Sequence, residues 1–220
     1  MSITENVRVR VRVWDGPTRI AHWSMVLLFG LSWWTGDTGR LEWHRWSGYV
    51  LLGVLVFRIC WGFIGSSTAR FSQFVRGPRG IIEYVRGRWA LAPGHNPLGA
   101  LSVLTLLALL LAQVILGLFA VDVDGIESGP LSAHVSFETG RVCAKWHHTI
   151  FSALQIFIAV HVLAVAWYVL VKKQDLIGAM FSGRRGYDAQ PADDVRFATW
   201  VRFVVAVVIA AAIAWLVTRD

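Results

Sequence analysis

The sequence predicts an all-α integral membrane protein, and its composition and the length of its apolar segments support this fold class. Hydrophobic residues make up 55% of the 220 residues and charged residues only 16%, whereas a water-soluble domain carries roughly 25% charged residues. Several apolar segments reach the ~20 residues that a helix needs to cross a bilayer. The alternating pattern of a membrane β-barrel is absent. The membrane spans are therefore predicted to be helices.

Each apolar segment is predicted to form one span. The five predicted spans are Pro17–Thr35, His44–Gly65, Leu98–Val121, His147–Val171 and Phe197–Val217. A basic leader precedes the first span, and no A-x-A-like cleavage site follows it, so this span is expected to remain as an anchor.

The distribution of lysine and arginine predicts the orientation of the chain. The segments 1–19, 66–97 and 172–196 together hold 14 of these residues, and the segments on the opposite side of the membrane hold four. Basic residues concentrate in cytoplasmic loops, so the N-terminus is predicted to be cytoplasmic and the C-terminus to lie outside. The net charge of +7 reflects these loops, and no nucleic-acid partner is expected.

The basic 66–97 connection contains the sequence GPRGIIEYVRGRW. Its apolar residues among arginines predict either a short helix on the inner membrane surface or a plain basic loop.

Histidines stand out within the apolar segments. Those at or within predicted spans are His22, His44, His147 and His161, and His148 follows the third. A polar side chain in the bilayer is costly and usually faces the bundle interior, so such a histidine indicates function. The alternative is that each histidine hydrogen-bonds a neighbouring helix. His95 and His134 lie in loops and carry no such prediction.

The spacing of the histidines in the fourth span places two of them on one helix face. His147 and His161 are 14 residues apart, which is about 40° short of four full turns and ~21 Å along the axis. His148 lies ~140° around the helix from His161, so His147 is the better partner of His161. One helix thus offers imidazoles at two depths.

Depth then pairs the histidines of different helices. With the predicted orientation, His44 lies near the outer side with His147, and His22 lies near the inner side with His161. Bis-histidine haem needs two imidazoles on opposite faces of one porphyrin within a bundle, so two haems at two depths are predicted. Zinc fits less well, because it needs four converging ligands and no Cys, Asp or Glu at membrane depth completes either pair. Cys60 and Cys143 form no CxxCH motif for covalent haem.

Two arginines are predicted to bind a cofactor. Arg58 lies 14 residues after His44, on the same face and four turns deeper. A charge at that depth needs a partner, either a propionate of the inner haem or a quinone headgroup, unless Arg58 snorkels to the interface. Arg19 lies one turn before His22 and can also reach a propionate.

Four sequence motifs carry a family resemblance: VWDGPTRIAHW, HRWSG, FRICWGF and HHTIFSALQIFIAVH. In order, spacing and flanking residues they resemble the prokaryotic cytochrome b561 family. This family includes the cytochrome b subunits of nickel-iron hydrogenases and is similar to the gamma subunits of formate dehydrogenases. The resemblance covers about residues 9–186 and implies a four-helix core with two b-type haems. Residues 1–186 are predicted to form this di-haem unit, and residues 187–220 a linker and a C-terminal transmembrane helix.

The resemblance also implies ligands and function. It implies that His22 and His161 hold the cytoplasmic-side haem and that His44 and His147 hold the periplasmic-side haem, with the adjacent His148 as the alternative ligand. It implies electron exchange between the quinone pool and a periplasmic redox partner, in the respiratory chain of a bacterial inner membrane.

Partners and enzymatic role follow less directly. The redox partner is expected to be a c-type cytochrome or a hydrogenase-like subunit, and a homo-oligomer is possible. The chain either turns over quinol itself or serves as a subunit of a larger oxidoreductase, and electrons flow in either direction in such proteins. A function of another class is a non-redox membrane anchor or transporter that uses the histidines as a proton or metal relay.

Overall fold

The structure is a computed structural model of the chain, and it describes residues 9–88, 93–124, 127–187 and 194–219. Arg8, which belongs to the basic N-terminal segment, and part of the predicted linker, 188–193, lie outside these ranges. In chain order the elements are β1 (Val9–Arg12), α1 (Gly16–Asp37), α2 (Leu41–Ile64), α3 (Phe71–Phe74), α4 (Pro78–Val85), α5 (Pro97–Phe119), α6 (Phe137–Leu170), α7 (Leu176–Ser182), β2 (Arg184–Tyr187) and α8 (Trp200–Thr218), with one 3-10 turn at Ser132–His134 before α6.

The helices confirm the predicted membrane fold. Among the described residues, α2, α5, α6 and α8 are long and apolar enough to cross a membrane. They cover most of the second to fifth predicted spans, and α8 begins three residues after the predicted start at Phe197. The first predicted span lies in α1, which has 22 residues and is therefore ~33 Å long. Polar residues, glycines and tryptophans interrupt its apolar sequence, and it is not among the helices of high hydropathy. That α1 crosses the membrane stays a prediction.

Helix α6 begins ten residues before the predicted start of the fourth span. Its 34 residues extend over ~51 Å, which exceeds the ~30 Å hydrocarbon thickness of a bilayer. The extra turns come at its N-terminus, where Ser136 caps the helix by accepting a hydrogen bond from the Thr139 amide. These turns carry Glu138, Arg141 and Lys145, which favour water over lipid but do not prevent a helix.

Two helix pairs form the bundle. Helix α1 packs along α2, and α5 packs along α6, while α2 and α5 make fewer contacts between the pairs. The pairs meet in a core of buried aliphatic side chains from α2, α5 and α6: Leu51, Leu52, Leu55, Leu110, Val114, Leu118 and Leu154. This is the predicted four-helix core.

The fifth span packs outside this core. Helix α8 lies along α2 and buries Ala206 and Ala210. A Cβ atom added at Gly53 of α2 would lie 3.7 Å from the Cβ atom of Ala214. Small residues at both surfaces allow the two helices to approach closely, which is how transmembrane helices commonly associate.

A two-stranded antiparallel sheet joins β1 to β2, with Val9 opposite Tyr187 and Arg12 opposite Arg184. The all-α prediction did not include it. The backbone amides of Val13 and Trp14 continue the contact by donating to the Gly183 carbonyl, at 2.8 and 3.1 Å. This sheet marks one end of the bundle, called the sheet end below. The opposite end, which carries the connection from α5 to α6, is called the loop end.

The 66–97 connection contains helix α4. Of the two predicted alternatives, a short helix and a plain basic loop, the structure therefore has the helix. The Tyr84 hydroxyl contacts the Tyr168 hydroxyl of α6, and the Asn96 amide donates to both hydroxyl oxygens, at 3.0 and 3.1 Å. Burial, followed by the hydrogen bond with Tyr168, raises the pKa of Tyr84. These contacts hold α4 against the ends of α5 and α6.

A buried carboxylate joins α1 to the end of α2. Asp15 is 5% exposed. Its Oδ1 atom accepts from the Thr18 amide at 2.7 Å and caps α1, and its Oδ2 atom accepts from Trp61 Nε1 at 2.9 Å. Nearby, the Thr68 hydroxyl donates to the Val13 carbonyl at 2.6 Å. The start of α1 is thus fixed against the segment that follows α2.

Trp61→Phe is expected to destabilise the protein, because it leaves a buried carboxylate oxygen of Asp15 without its donor. The expected loss is about 1–3 kcal/mol, measured as the change in unfolding free energy in detergent. Trp43→Phe is the matched control, because Trp43 is 62% exposed and its change should stay within about 0.5 kcal/mol. Equal stability of the two variants would contradict the role of the Asp15–Trp61 hydrogen bond in connecting α1 to the end of α2.

Candidate functional site

The structure brings His44 of α2 and His147 of α6 together at the loop end. Their ring centroids are 6.1 Å apart and their planes are inclined by 81°. A metal–imidazole bond is about 2.0–2.1 Å long, so two imidazoles on opposite sides of one metal ion have ring centroids about 6 Å apart. The observed separation leaves room for one metal ion between the two rings.

The His44 ring is held by the neighbouring helix α1. Its Nδ1 atom lies 2.8 Å from the Ser32 carbonyl oxygen. A carbonyl can only accept, so Nδ1 carries the hydrogen and Nε2 keeps a free lone pair. A Cβ atom at Gly36 would come within 3.0 Å of Nδ1. The absence of a side chain at Gly36 therefore makes room for the ring.

The His147 ring is held in the same way by α5. Its Nδ1 atom donates to the Gln113 carbonyl at 2.9 Å, and a Cβ atom at Gly117 would lie 2.9 Å from its Cε1 atom. In both cases a glycine follows the accepting carbonyl by four residues. A backbone carbonyl on the second nitrogen is the usual way in which proteins orient a metal-binding histidine.

Gln113 also contacts the nitrogen of His147 that would bind a metal. Its Nε2 atom lies 3.0 Å from His147 Nε2, while its Oε1 atom is buried and has no hydrogen-bond partner among the described residues. A metal ion at His147 Nε2 would take the place of this amide, whose own bonding is incomplete. Gln113 was not predicted from the sequence.

A cavity of about 760 Å³ lies beside the two rings. Helices α1, α2, α5 and α6 all line this cavity. A Cβ atom added at Gly48 would meet no other atom within 4 Å. Its volume is within the ~300–1,000 Å³ typical of cofactor sites. Charged side chains of both signs lie along its wall: Arg45, Asp122, Glu127, Arg141 and Lys145. Arg45 and Glu127 form an ion pair there.

His148 lines the same cavity but is exposed. Its ring contact is with His147, at 6.2 Å between centroids, whereas the ring contact of His44 is with His147. The helical-phase argument for His147 over His148 stays a prediction.

His22 and His161 lie toward the sheet end, within electrostatic range of each other. His22 Nδ1 is buried without a hydrogen-bond partner among the described residues. His161 Nδ1 lies 3.2 Å from the Ser102 hydroxyl of α5. The two side chains thus lie in one region, but the His22 ring packs edge-on against Trp23, with 5.0 Å between the ring centroids.

Arg58 is buried in the same region and is 4% exposed. The snorkelling alternative is therefore wrong. Its guanidinium lies 5.4 Å from the centroid of the Phe71 ring, within electrostatic range of His22 and of the Asp15 carboxylate. Its Nη1 atom is buried and has no hydrogen-bond partner in the described part of the chain.

Arg19 makes contacts that the sequence did not predict. Its Nε atom donates to the Asp15 carbonyl at 3.3 Å, and its Nη1 atom donates to the Phe181 carbonyl. Arg19 thereby fixes the end of α7 against the start of α1. A propionate contact of Arg19 stays a prediction.

His95 is a candidate functional residue that the sequence analysis passed over. Its ring lies between Trp14 and Phe74, with both centroid distances 4.7 Å, and its Nδ1 atom is buried without a partner among the described residues. Burial, followed by the positive charge of Arg58 and by His161 and His22, lowers the pKa of His95 to about 3. Its position in a loop gave no signal, because the rings around it come from distant parts of the chain.

Comparison with known proteins agrees with these observations. The sequence model of a family described as prokaryotic cytochrome b561 matches residues 13–183. A probable Ni/Fe-hydrogenase B-type cytochrome subunit of Bradyrhizobium diazoefficiens is 25% identical over 218 residues, which cover 82% of this chain and 87% of the relative. The protein of the same description from Azotobacter chroococcum is 26% identical over 211 residues, covering 80% and 88%. No solved structure matches the chain. The family match spans most of the chain and all four histidines of the two pairs, and the chain belongs to the prokaryotic cytochrome b561 family.

Proposed function

We propose that this b-type cytochrome is a di-haem protein that passes electrons across the membrane between quinone and a redox partner at the loop end. The main support is the His44–His147 pair, whose ring centroids are 6.1 Å apart. Each imidazole donates through Nδ1 to a backbone carbonyl of a neighbouring helix, and this leaves each Nε2 atom able to bind iron.

In this proposal His44 and His147 hold one haem b, and His22 and His161 hold the other. Haem iron, when bound, accepts and releases single electrons by cycling between Fe(III) and Fe(II). The chain orients the four imidazoles, excludes water with its leucine core and sets the potentials through hydrogen bonds and burial. His147 and His161 lie ~21 Å apart along α6, so the two sites are at different depths.

The proposed orientation places the sheet end in the cytoplasm and the loop end in the periplasm of a bacterial inner membrane. It rests on the excess of Lys and Arg in the segments of the sheet end. The curated relatives are named as hydrogenase cytochrome subunits, so a hydrogenase-like protein is the proposed partner, with a c-type cytochrome as the alternative. Residues 1–186 form the proposed haem-binding unit, and 187–220 add the linker and α8.

Haem content tests this function. The purified chain is expected to hold two haem b groups, measured by a pyridine haemochrome assay against protein concentration, and acidic acetone should extract both. One haem per chain would contradict the second site. A chain without haem would favour the relay or anchor function instead.

The two glycines beside the rings offer a sharper test of the ligand pair. Gly117→Ala places a methyl group 2.9 Å from His147 Cε1, and the ring must move. Displacing a ligand or its orienting partner typically weakens metal binding by about 10–100-fold. We therefore expect Gly117→Ala, Gly36→Ala, His44→Ala and His147→Ala to lose the same haem in a redox titration of the absorption spectrum.

Gly30→Ala is the matched control for the glycine variants. Gly30 lies in α1, as Gly36 does, and its added methyl group meets no atom within 4 Å, so both haems should remain. Retention of both haems in His147→Ala, together with loss of one in His148→Ala, would show that His148 is the ligand.

Quinone is proposed to bind at the sheet end, near Arg58. A quinone site needs a nearby haem and polar groups for its two oxygen atoms. Arg58 offers a buried guanidinium nitrogen that has no hydrogen-bond partner among the described residues, and it lies within electrostatic range of His22. The same arginine can instead hold a haem propionate, so haem content must be measured together with quinone kinetics.

Arg58→Leu is expected to slow electron exchange with quinone about tenfold or more, since it removes a hydrogen bond from a charged donor. Exchange with the partner at the loop end should be nearly unchanged. Stopped-flow kinetics with a short-chain quinone measure the effect. Arg202→Leu is the control, because Arg202 is exposed on α8 and contacts only the Ile64 carbonyl among the described residues. Normal quinone kinetics with two haems present would remove Arg58 from the site.

A further inference from the structure

Two buried side-chain nitrogen atoms near the sheet-end histidines lack hydrogen-bond partners. The guanidinium nitrogen is a donor, and the imidazole nitrogen is a donor in its Nδ1–H tautomer. Arg58 Nη1 and His95 Nδ1 are each buried without a partner among the described residues. Arg58, His161 and His22 all lie within electrostatic range of His95. The two donors therefore belong to one cluster, although Arg58 is in α2 and His95 precedes α5.

An acceptor is missing from this cluster. A buried donor left unpaired costs about 1–3 kcal/mol, and more when it is charged, and buried polar groups in folded proteins are nearly always paired. The carboxylate within range of Arg58 is that of Asp15. Its oxygen atoms already accept from the Thr18 amide and from Trp61 Nε1. Asp15 can balance the charge of Arg58, but both of its oxygen atoms are held by the hydrogen bonds that fix the start of α1.

The His95 ring is held in place without a ligand. Trp14 packs on it at 4.7 Å and Phe74 at 4.7 Å, and Phe74 packs in turn on Phe71 at 5.8 Å. Phe71 carries the Arg58 guanidinium over its own ring. One group of aromatic side chains thus positions both donors, and such preorganisation lowers the entropy cost of binding a ligand.

We propose that His95, as its Nδ1–H tautomer, and Arg58 together bind an acceptor oxygen of the sheet-end cofactor, as a two-donor clamp. The inference rests on the proposed function, and it adds His95 to the site. The acceptor is either a carboxylate of the haem propionates or a carbonyl oxygen of quinone. Both offer an oxygen with free lone pairs, and a carboxylate would also balance the buried positive charge of Arg58.

The test uses the full chain loaded with haem and compares three variants. His95→Phe keeps an aromatic ring between Trp14 and Phe74 but removes the donor. His95→Gln restores an N–H donor. His134→Phe is the control, because His134 is exposed at the loop end. His95→Met, which also lacks a donor, repeats the test if His95→Phe does not fold.

The first measurement concerns the propionate. With haem labelled with ¹³C at its carboxylates, redox-difference infrared spectra of His95→Phe should show a shifted carboxylate band. One haem should titrate at a lower potential, because its propionate charge is less neutralised and Fe(III) is favoured. The other haem should be unchanged, His95→Gln should recover most of both effects, and His134→Phe should show neither.

The second measurement concerns quinone. If the labelled band does not move, His95→Phe should instead weaken binding of ubiquinone-1 by about 10–100-fold, as expected for loss of a donor to a buried acceptor. Either result supports the clamp and identifies the oxygen. Two haems with unchanged potentials, an unchanged band and unchanged ubiquinone-1 binding would overturn the inference while leaving the proposed function intact. A wild-type chain without haem would overturn the proposed function itself.

Discussion

The bundle depends on one interaction that is made twice, a histidine Nδ1 bonded to a backbone carbonyl of the adjacent helix. His44 of α2 donates to Ser32 of α1, and His147 of α6 donates to Gln113 of α5. Each bond lies within one of the two tightly packed helix pairs. The contact between the His44 and His147 rings crosses from one pair to the other. Hydrogen bonds of the protein thus hold each helix pair together. Between the pairs α2 and α5 make fewer contacts, and the proposed iron would connect the pairs through His44 and His147.

The two ends of the bundle are stabilised differently. At the sheet end, segments that are distant in sequence are held together by hydrogen bonds. These are the β1–β2 pairing, the Asp15–Trp61 hydrogen bond and the hydrogen bond from Arg19 to the end of α7. At the loop end, a cavity of about 760 Å³ separates the helices. An electron carrier needs ligands that stay in place while the iron changes charge, and the hydrogen bonds from Nδ1 to the Ser32 and Gln113 carbonyls restrict the positions that each imidazole can take. The leucine core lies between the two ends.

Helix periodicity alone sets the relation between His147 and His161. The sequence also predicted that His44 lies near His147, and the structure places their ring centroids 6.1 Å apart. Sequence reasoning missed Gly36 and Gly117, since their importance depends on which carbonyl faces which ring after the helices pack. It missed His95 for the same reason. The β1–β2 sheet joins segments more than 170 residues apart, and no local pattern reports such a pairing. The early start of α6 was missed because hydropathy detects lipid contact, not helix.

Helix α8 shows why the core tolerates an addition beyond the region that matches the family. On α2, Gly53 follows His44 by nine residues, and Phe57 follows Gly48 by the same interval. Nine residues correspond to ~180° around a helix, so the face of α2 near α8 is opposite the face that carries His44 and Gly48. Phe203 of α8 packs on Phe57, which confirms this side of the contact. A fifth helix can therefore cover α2 without entering the cavity.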